Sequence, residues 1–104
     1  MKVIIIGLGS IGQTILKYLS VEGHTITAID ESKDLIEKLV EEYDIFGVVG
    51  NGACMDIQAE AGVQDADLVI ALTRNDELNV FACMVSKHMG VAHPKRQFCD
   101  YAGR

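Results

Sequence analysis

The sequence predicts an α/β domain of three layers, helix on sheet on helix, and three observations carry that prediction. Short apolar runs rich in β-branched residues alternate with longer stretches whose apolar residues recur at helical spacing. The connections between them are short, and a repeated βα order of that kind demands parallel strands joined by right-handed crossovers. Glycines stand where the apolar runs end, at the points where a strand must turn into a helix. At 104 residues, 49% hydrophobic and 23% charged, the chain is long enough for one small domain with its own core.

Each element has its own signal. Val3–Ile6 reads as a buried strand, and Ile11, Ile15, Leu16 and Leu19 then mark a helix running up to Gly23. Thr25–Ile29, β-branched at four of its five positions, is the second strand. Ser32 is placed to cap a helix in which Leu35, Leu39 and Tyr43 form one row and Ile36 and Val40 the next. Its charges fall on the opposite, solvated face. Ile45–Val49 is a third strand, ending in Gly50-Asn51-Gly52, and a short helix from about Met55 to Ala61 stops at Gly62. Leu68–Leu72 is continuously apolar, as a strand buried on both faces must be. Thr73 with Asp76 fits a capping box. The helix it opens carries Leu78, Phe81, Ala82, Val85 and Met89 on its core side and ends at Gly90. No fifth strand is legible in Ala92–Arg104, which reads as a frayed or exposed tail, or as the truncated start of a further lobe. The domain proper is therefore residues 1–91 and the tail 92–104.

The expected strand order is 3-2-1-4, a Rossmann-like doubly wound sheet whose ligands lie at the C-terminal ends of the strands. Those ends are Gly7–Gly12, Asp30-Glu31, Gly50-Asn51-Gly52 and Thr73-Arg74-Asn75, four polar or glycine-rich loops on one rim. The first, with Gly7, Gly9 and Gly12, is G-x-G-x-x-G between a strand and a helix. Its first glycine permits the turn, its second lets a pyrophosphate approach the backbone, and its third lets helix and strand pack closely. The helix N-terminus then faces the anion. Asp30 closes the second strand, where a carboxylate accepts hydrogen bonds from a ribose diol and repels a 2′-phosphate. A glycine turn in an ordinary α/β domain would show the triplet without the acid.

A net charge of −6 argues against nonspecific binding to nucleic acid or to an anionic membrane surface. Lys2 is followed by only four apolar residues before Gly7, so no leader peptide is expected. No apolar stretch approaches the ~18–20 residues that span a bilayer. Cys54, Cys83 and Cys99 are odd in number and widely spaced, which suggests neither a disulfide framework nor zinc and fits a reducing cytoplasm. Cys83 reads as a small core residue and Cys54 as loop. His24, His88 and His93 cluster with nothing and take solvated or capping roles, so no metal site is expected.

Gly7-Leu8-Gly9-Ser10-Ile11-Gly12, Asp30, Gly50-Asn51-Gly52-Ala53, Glu60-Ala-Gly62, Asp65-Ala-Asp67 and Ala71-Leu-Thr-Arg-Asn-Asp-Glu-Leu-Asn79 together resemble the TrkA N-terminal domain, also called the KTN or RCK domain. The likeness covers roughly residues 1–91. It implies a cytoplasmic regulatory module of a potassium uptake system, lying at the inner face of the cell membrane through its partner. It further implies binding of NAD(H), or of ATP or ADP as in relatives, and a membrane-embedded potassium transporter subunit as partner. By the same likeness Gly7, Leu8, Gly9, Ser10, Ile11 and Gly12 hold the pyrophosphate, with Asp30 and Glu31 at the adenosine ribose. Asn51, Gly52 and Ala53 lie beside the adenine end, Asn51 standing where many relatives carry an acid. Thr73, Asn75 and Glu77 border the nicotinamide half or the terminal phosphates, and Arg74 reaches a phosphate. The family continues into a further strand and an N-P-E-Y-like segment, from which Gln97–Arg104 departs.

A dehydrogenase needs a proton acceptor beside the nicotinamide and a substrate pocket, usually from a second domain, and no residues remain here to build one. Beyond Asp30-Glu31, Asp76-Glu77 is the acidic pair near the rim, and acids in a first helical turn serve the dipole. The chain therefore reads as a non-catalytic nucleotide-binding module. The alternatives are the cofactor half of an NAD-dependent oxidoreductase and an interaction domain with a degenerate pocket. Self-association, as a homodimer or higher homo-oligomer, is expected on two grounds. An open four-stranded sheet leaves an unpaired edge, and the last helix carries Val80, Cys83 and Met84 off its main stripe. The family likeness points the same way.

Overall fold

The computed structural model describes residues 1–91 and 98–101. Strands β1 (Lys2–Ile6), β2 (Thr25–Asp30), β3 (Phe46–Val49), β4 (Leu68–Ala71) and β5 (Phe98–Tyr101) make one sheet of order β3-β2-β1-β4-β5. All four pairings are parallel. The helices are α1 (Ser10–Val21), α2 (Lys33–Glu42), α3 (Met55–Glu60) and α4 (Asp76–Val91), with a 3-10 turn at Val63–Asp65. The expected doubly wound α/β architecture is present, and its central order 3-2-1-4 is as expected.

Why β1 reads as continuously apolar is plain from its neighbours. Val3 and Ile5 join Leu16, Ile26, Ala28, Ile36 and Leu39 in the core beneath α1 and α2. Ile4 and Ile6 join Ile29, Val48, Val69, Ala71 and Ala82 in a second core beneath α3 and α4. Alternate side chains of Val3–Ile6 thus feed two separate cores, so none of these four positions can be polar. Lys2 and Asp67 fasten the base of the sheet. The Lys2 amide donates to Asp67 Oδ2 at 2.8 Å, and the Asp67 amide donates to the Lys2 carbonyl at 2.8 Å.

Several expectations are corrected. The stretch after Ala92 is not all tail, because Phe98–Tyr101 adds a fifth strand in register with Leu68–Ala71. A four-residue edge strand draws its order from the backbone of β4 and needs no apolar run of its own, which is why the sequence does not announce it. Gly90 does not end the last helix; it is buried within α4, which continues to Val91. Phe81, assigned to the core side, is 56% exposed, whereas Cys83 is buried, as its reading as a small core residue expected. Cys83 is also disulfide-bonded, although the spacing of the cysteines suggested none; Cys54 is free and exposed.

Ser32 caps α2 as expected, its Oγ accepting from the Leu35 amide at 3.2 Å. The cap of α4 is Asn75, whose Oδ1 accepts from the Leu78 amide at 2.9 Å, and the Thr73–Asp76 box does not form the cap. Among the described residues no helix is long and apolar enough to cross a membrane.

Candidate functional site

Three backbone bonds carry the sheet's ladder one step beyond the strands and hold the rim loops in place. Gly7 donates to the Ile29 carbonyl at 2.8 Å, Leu72 to that of Ile6 at 2.7 Å and Gly50 to that of Asp30 at 2.9 Å. Between these loops lies a cavity of about 370 Å³. Of the residues singled out from the sequence, Gly7, Leu8, Gly9, Asp30, Glu31, Gly52, Thr73 and Arg74 line it. Ile6, Ile29, Leu35, Gly50, Leu72 and Leu78 line it as well. Gly50 was legible as part of its rim loop, but the apolar walls escaped the sequence reading because their residues were already accounted for as strand ends and helix stripes.

The three glycines do different physical work. Gly7 sits at φ +98°, and a Cβ there would lie 2.8 Å from the carbonyl carbon of Leu72. At Gly12 a Cβ would stand 2.1 Å from the carbonyl oxygen of Gly7, so α1 can lie this close to the turn only without a side chain. Gly9 is the contrast: a Cβ there would meet nothing within 4 Å. Its lack of a side chain serves neither turn nor packing. It leaves open space at the head of α1, on the cavity's own wall.

That helix end is bare. Gly9 is the N-cap of α1 and offers no side-chain cap, and the first turn holds no acid. Amide N–H groups and the positive end of the helix dipole are thus left for an external anion. The other helices that bound the cavity end differently: α2 has Ser32 and Asp34, and α4 has Asn75, Asp76 and Glu77.

Asp30 is fixed from both sides. Its Oδ2 accepts the Leu8 amide and its Oδ1 the Ser32 amide, each at 2.8 Å. A carboxylate has about four lone-pair positions, so two remain for hydroxyl donors once these amides are served. Across the cavity, the loop after β4 is held by a residue the sequence reading left without a role. Asn79 is fully buried; its Oδ1 accepts the Thr73 amide at 2.9 Å and the Thr73 hydroxyl at 2.6 Å, and its Nδ2 donates to the Thr73 carbonyl at 3.0 Å. An asparagine one turn before Ala82 and Cys83, on the same helix face, was the available signal. Arg74, exposed on this loop, is the cation among the lining residues, alongside the acids Asp30 and Glu31.

Other assigned residues do not reach the cavity wall. Asn51 turns its Oδ1 onto the Ala53 amide at 2.8 Å and braces its own loop. Ser10, Ile11 and Gly12 stand behind Gly9 in α1, and Asn75 is occupied as a cap. Glu77 lies with Asp76, Val80, Phe81 and Met84 around a separate shallow depression on the outer face of α4. No group of three or more histidine, cysteine, aspartate or glutamate side chains suited to a metal ion occurs among the described residues.

The sequence matches the family model of the TrkA-N domain over residues 3–96. It is 41% identical over 86 residues to a Trk system potassium uptake protein TrkA of Vibrio alginolyticus, covering 83% of this chain and 19% of the relative. With TrkA homolog 2 of Methanosarcina mazei it shares 39% over 94 residues, 90% of this chain and 20% of the relative. The chain thus spans about a fifth of the length of these relatives. Among solved structures, the TrkA-N domain of the Escherichia coli inner membrane protein ybaL superposes with TM-score 0.83 at 18% identity, covering 96% of this chain and 72% of that one. The Kef C-terminal domain of Shewanella denitrificans in its AMP-bound form gives 0.73 at 24%, covering 97% and 58%. The GsuK channel bound to NAD gives 0.72 at 23%, covering 84% and 16%.

Proposed function

The chain belongs to the TrkA-N domain family, and from that premise we propose that it binds an adenine nucleotide in the rim cavity and passes the bound state to a membrane-embedded potassium transporter. The observation that carries the reading is the bare first turn of α1, opening at Gly9 onto the cavity beside a doubly anchored Asp30. A dinucleotide or nucleoside phosphate has a diol and an anion a few ångströms apart, and this arrangement offers a carboxylate and a helix N-terminus on adjacent loops. Leu35 and Ile29 give the adenine an apolar wall. Arg74 meets the distal phosphate or the second half of the ligand. NAD(H) is the favoured ligand, with ATP or ADP as the alternative. The NAD bound in GsuK and the AMP bound in the Kef domain support a nucleotide in a frame of this shape.

The reading extends to a regulatory, non-catalytic part in a cytoplasmic assembly held at the membrane by its transporter partner. The curated relatives are named as potassium uptake proteins. Val80, Phe81 and Met84 stand exposed in one patch on α4 and favour a second copy of the domain as its cover. A thermal-shift panel of NAD+, NADH, NADPH, ATP, ADP and AMP tests the ligand. Adenine nucleotides are expected to raise Tm, and no shift with any of them would overturn the proposal. Incubation of NADH with the chain and simple carbonyl compounds should leave its absorbance unchanged, and steady oxidation would favour the oxidoreductase reading.

A further inference from the structure

Gln58 is a fully buried polar side chain in the small helix α3, and every hydrogen-bonding group of its amide is used across element boundaries. Its Nε2 donates to the carbonyl of Gly52 at 2.7 Å, on the cavity's β3–α3 loop, and to the carbonyl of Ala82 at 3.0 Å, on α4. Its Oε1 accepts the hydroxyl of Ser86 at 2.7 Å, one turn further along α4. Ser86 is itself fully buried and also lies 2.9 Å from the Ala82 carbonyl. Apolar residues of the same volume would fill this space without the cost of burying three polar groups. What they would not do is join the loop to the helix at a fixed distance.

From this we infer that Gln58 and Ser86 form a link that transmits occupancy of the cavity from the Gly52 loop to α4. The inference rests on the nucleotide reading above and names how that site is coupled to the rest of the domain. Gly52 lines the cavity, so a ligand seated there presses on or draws in the loop. The Gly52 carbonyl cannot move without breaking or dragging its bond to Gln58, because a buried acceptor has no water to turn to. Gln58 in turn holds Ala82 and Ser86 on the inner side of α4. On the outer side of the same turns stand Phe81 and Met84, 56% and 61% exposed. A displacement of the inner side is therefore a displacement of the exposed patch. Gln58 is a positioning residue in this scheme and touches no ligand.

Amide hydrogen exchange on the 104-residue chain, free and saturated with NADH or AMP, tests the link. In the wild-type chain nucleotide is expected to slow exchange at residues 52–54 and also at 82–88, the latter by about fivefold or more, the low end of coupling between sites. In Gln58→Met, saturated to the same occupancy, the loop should still respond and the response of α4 should vanish. Ser86→Ala removes one of the two bonds to α4 and should leave an intermediate response; if Gln58→Met fails to fold, this variant decides alone. An α4 response as large in a folded variant as in wild type would overturn the link. Loop protection without any α4 response in the wild-type chain would also overturn it while leaving nucleotide binding standing. Protection nowhere, with either nucleotide, would overturn both.

Discussion

Asp30 serves the fold and the ligand with the same two oxygens, and its variants should separate those duties. Asp30→Ala leaves the Leu8 and Ser32 amides without their acceptor and should cost about 1–2 kcal/mol in urea unfolding. Asp30→Asn keeps an acceptor oxygen, so it should recover part of that stability while still losing the charge. Both variants should bind NADH more weakly and narrow the gap between NADH and NADPH in calorimetric titration, because the repulsion of a 2′-phosphate is gone. An undiminished preference for NADH in folded Asp30→Asn would place the discrimination elsewhere. The glycines divide more sharply. Gly9→Val has room for its side chain in the free protein and should fold with near-native circular dichroism yet fail to bind nucleotide. Gly12→Val drives carbon into the Gly7 carbonyl and should lose about 1–3 kcal/mol or more, with unfolding as the first symptom. The motif was legible as a whole from residues 7–12, but not this division, since spacing alone shows neither which glycine faces empty space nor which faces backbone.

At the scale of elements, the sequence was most informative where one residue decides and least where a distant residue competes. Ser32 had a single helix to cap, and it caps it. Thr73 had a local role open to it as a cap, but Asn79, one turn inside α4, takes its amide, hydroxyl and carbonyl together, and Asn75 caps instead. Thus Asn75→Ala should cost about 1 kcal/mol, the usual worth of an N-cap. Asn79→Ala should cost about 1–3 kcal/mol, because it strands the Thr73 amide in a part-buried place, and it should weaken nucleotide binding as the Thr73–Arg74 loop loses its brace. Equal effects of the two substitutions on binding would argue that Asn79 is a packing residue only. Phe81 was placed on the core side although it is exposed, because periodicity counts apolar residues and cannot tell a core from a surface awaiting a partner. The strand β5 was missed for a related reason: its signal is the open edge of β4, not its own four residues.

The whole molecule is expected to pair through α4 and not through a bare β4, since β5 covers that edge. Light scattering over a concentration series should show a species heavier than the 11.3 kDa monomer. Phe81→Glu with Met84→Glu should return it to monomer without lowering stability, as both side chains face solvent in the single chain. A wild-type chain that stays monomeric at every concentration would rule the pairing out. The burial of β1 bears on something else, the order of events as the chain is made. Val3 pairs with Ile26, 23 residues on, but its other neighbour, Leu68, lies 65 residues along the chain. Parallel pairings this distant form slowly, because the intervening chain must be ordered before they repay it. A ribosome that has finished the glycine turn has therefore made the most recognisable part of the site and none of its function. The cavity closes only when Leu72 reaches the end of β1, so it is complete only once the distant β1–β4 pairing has formed.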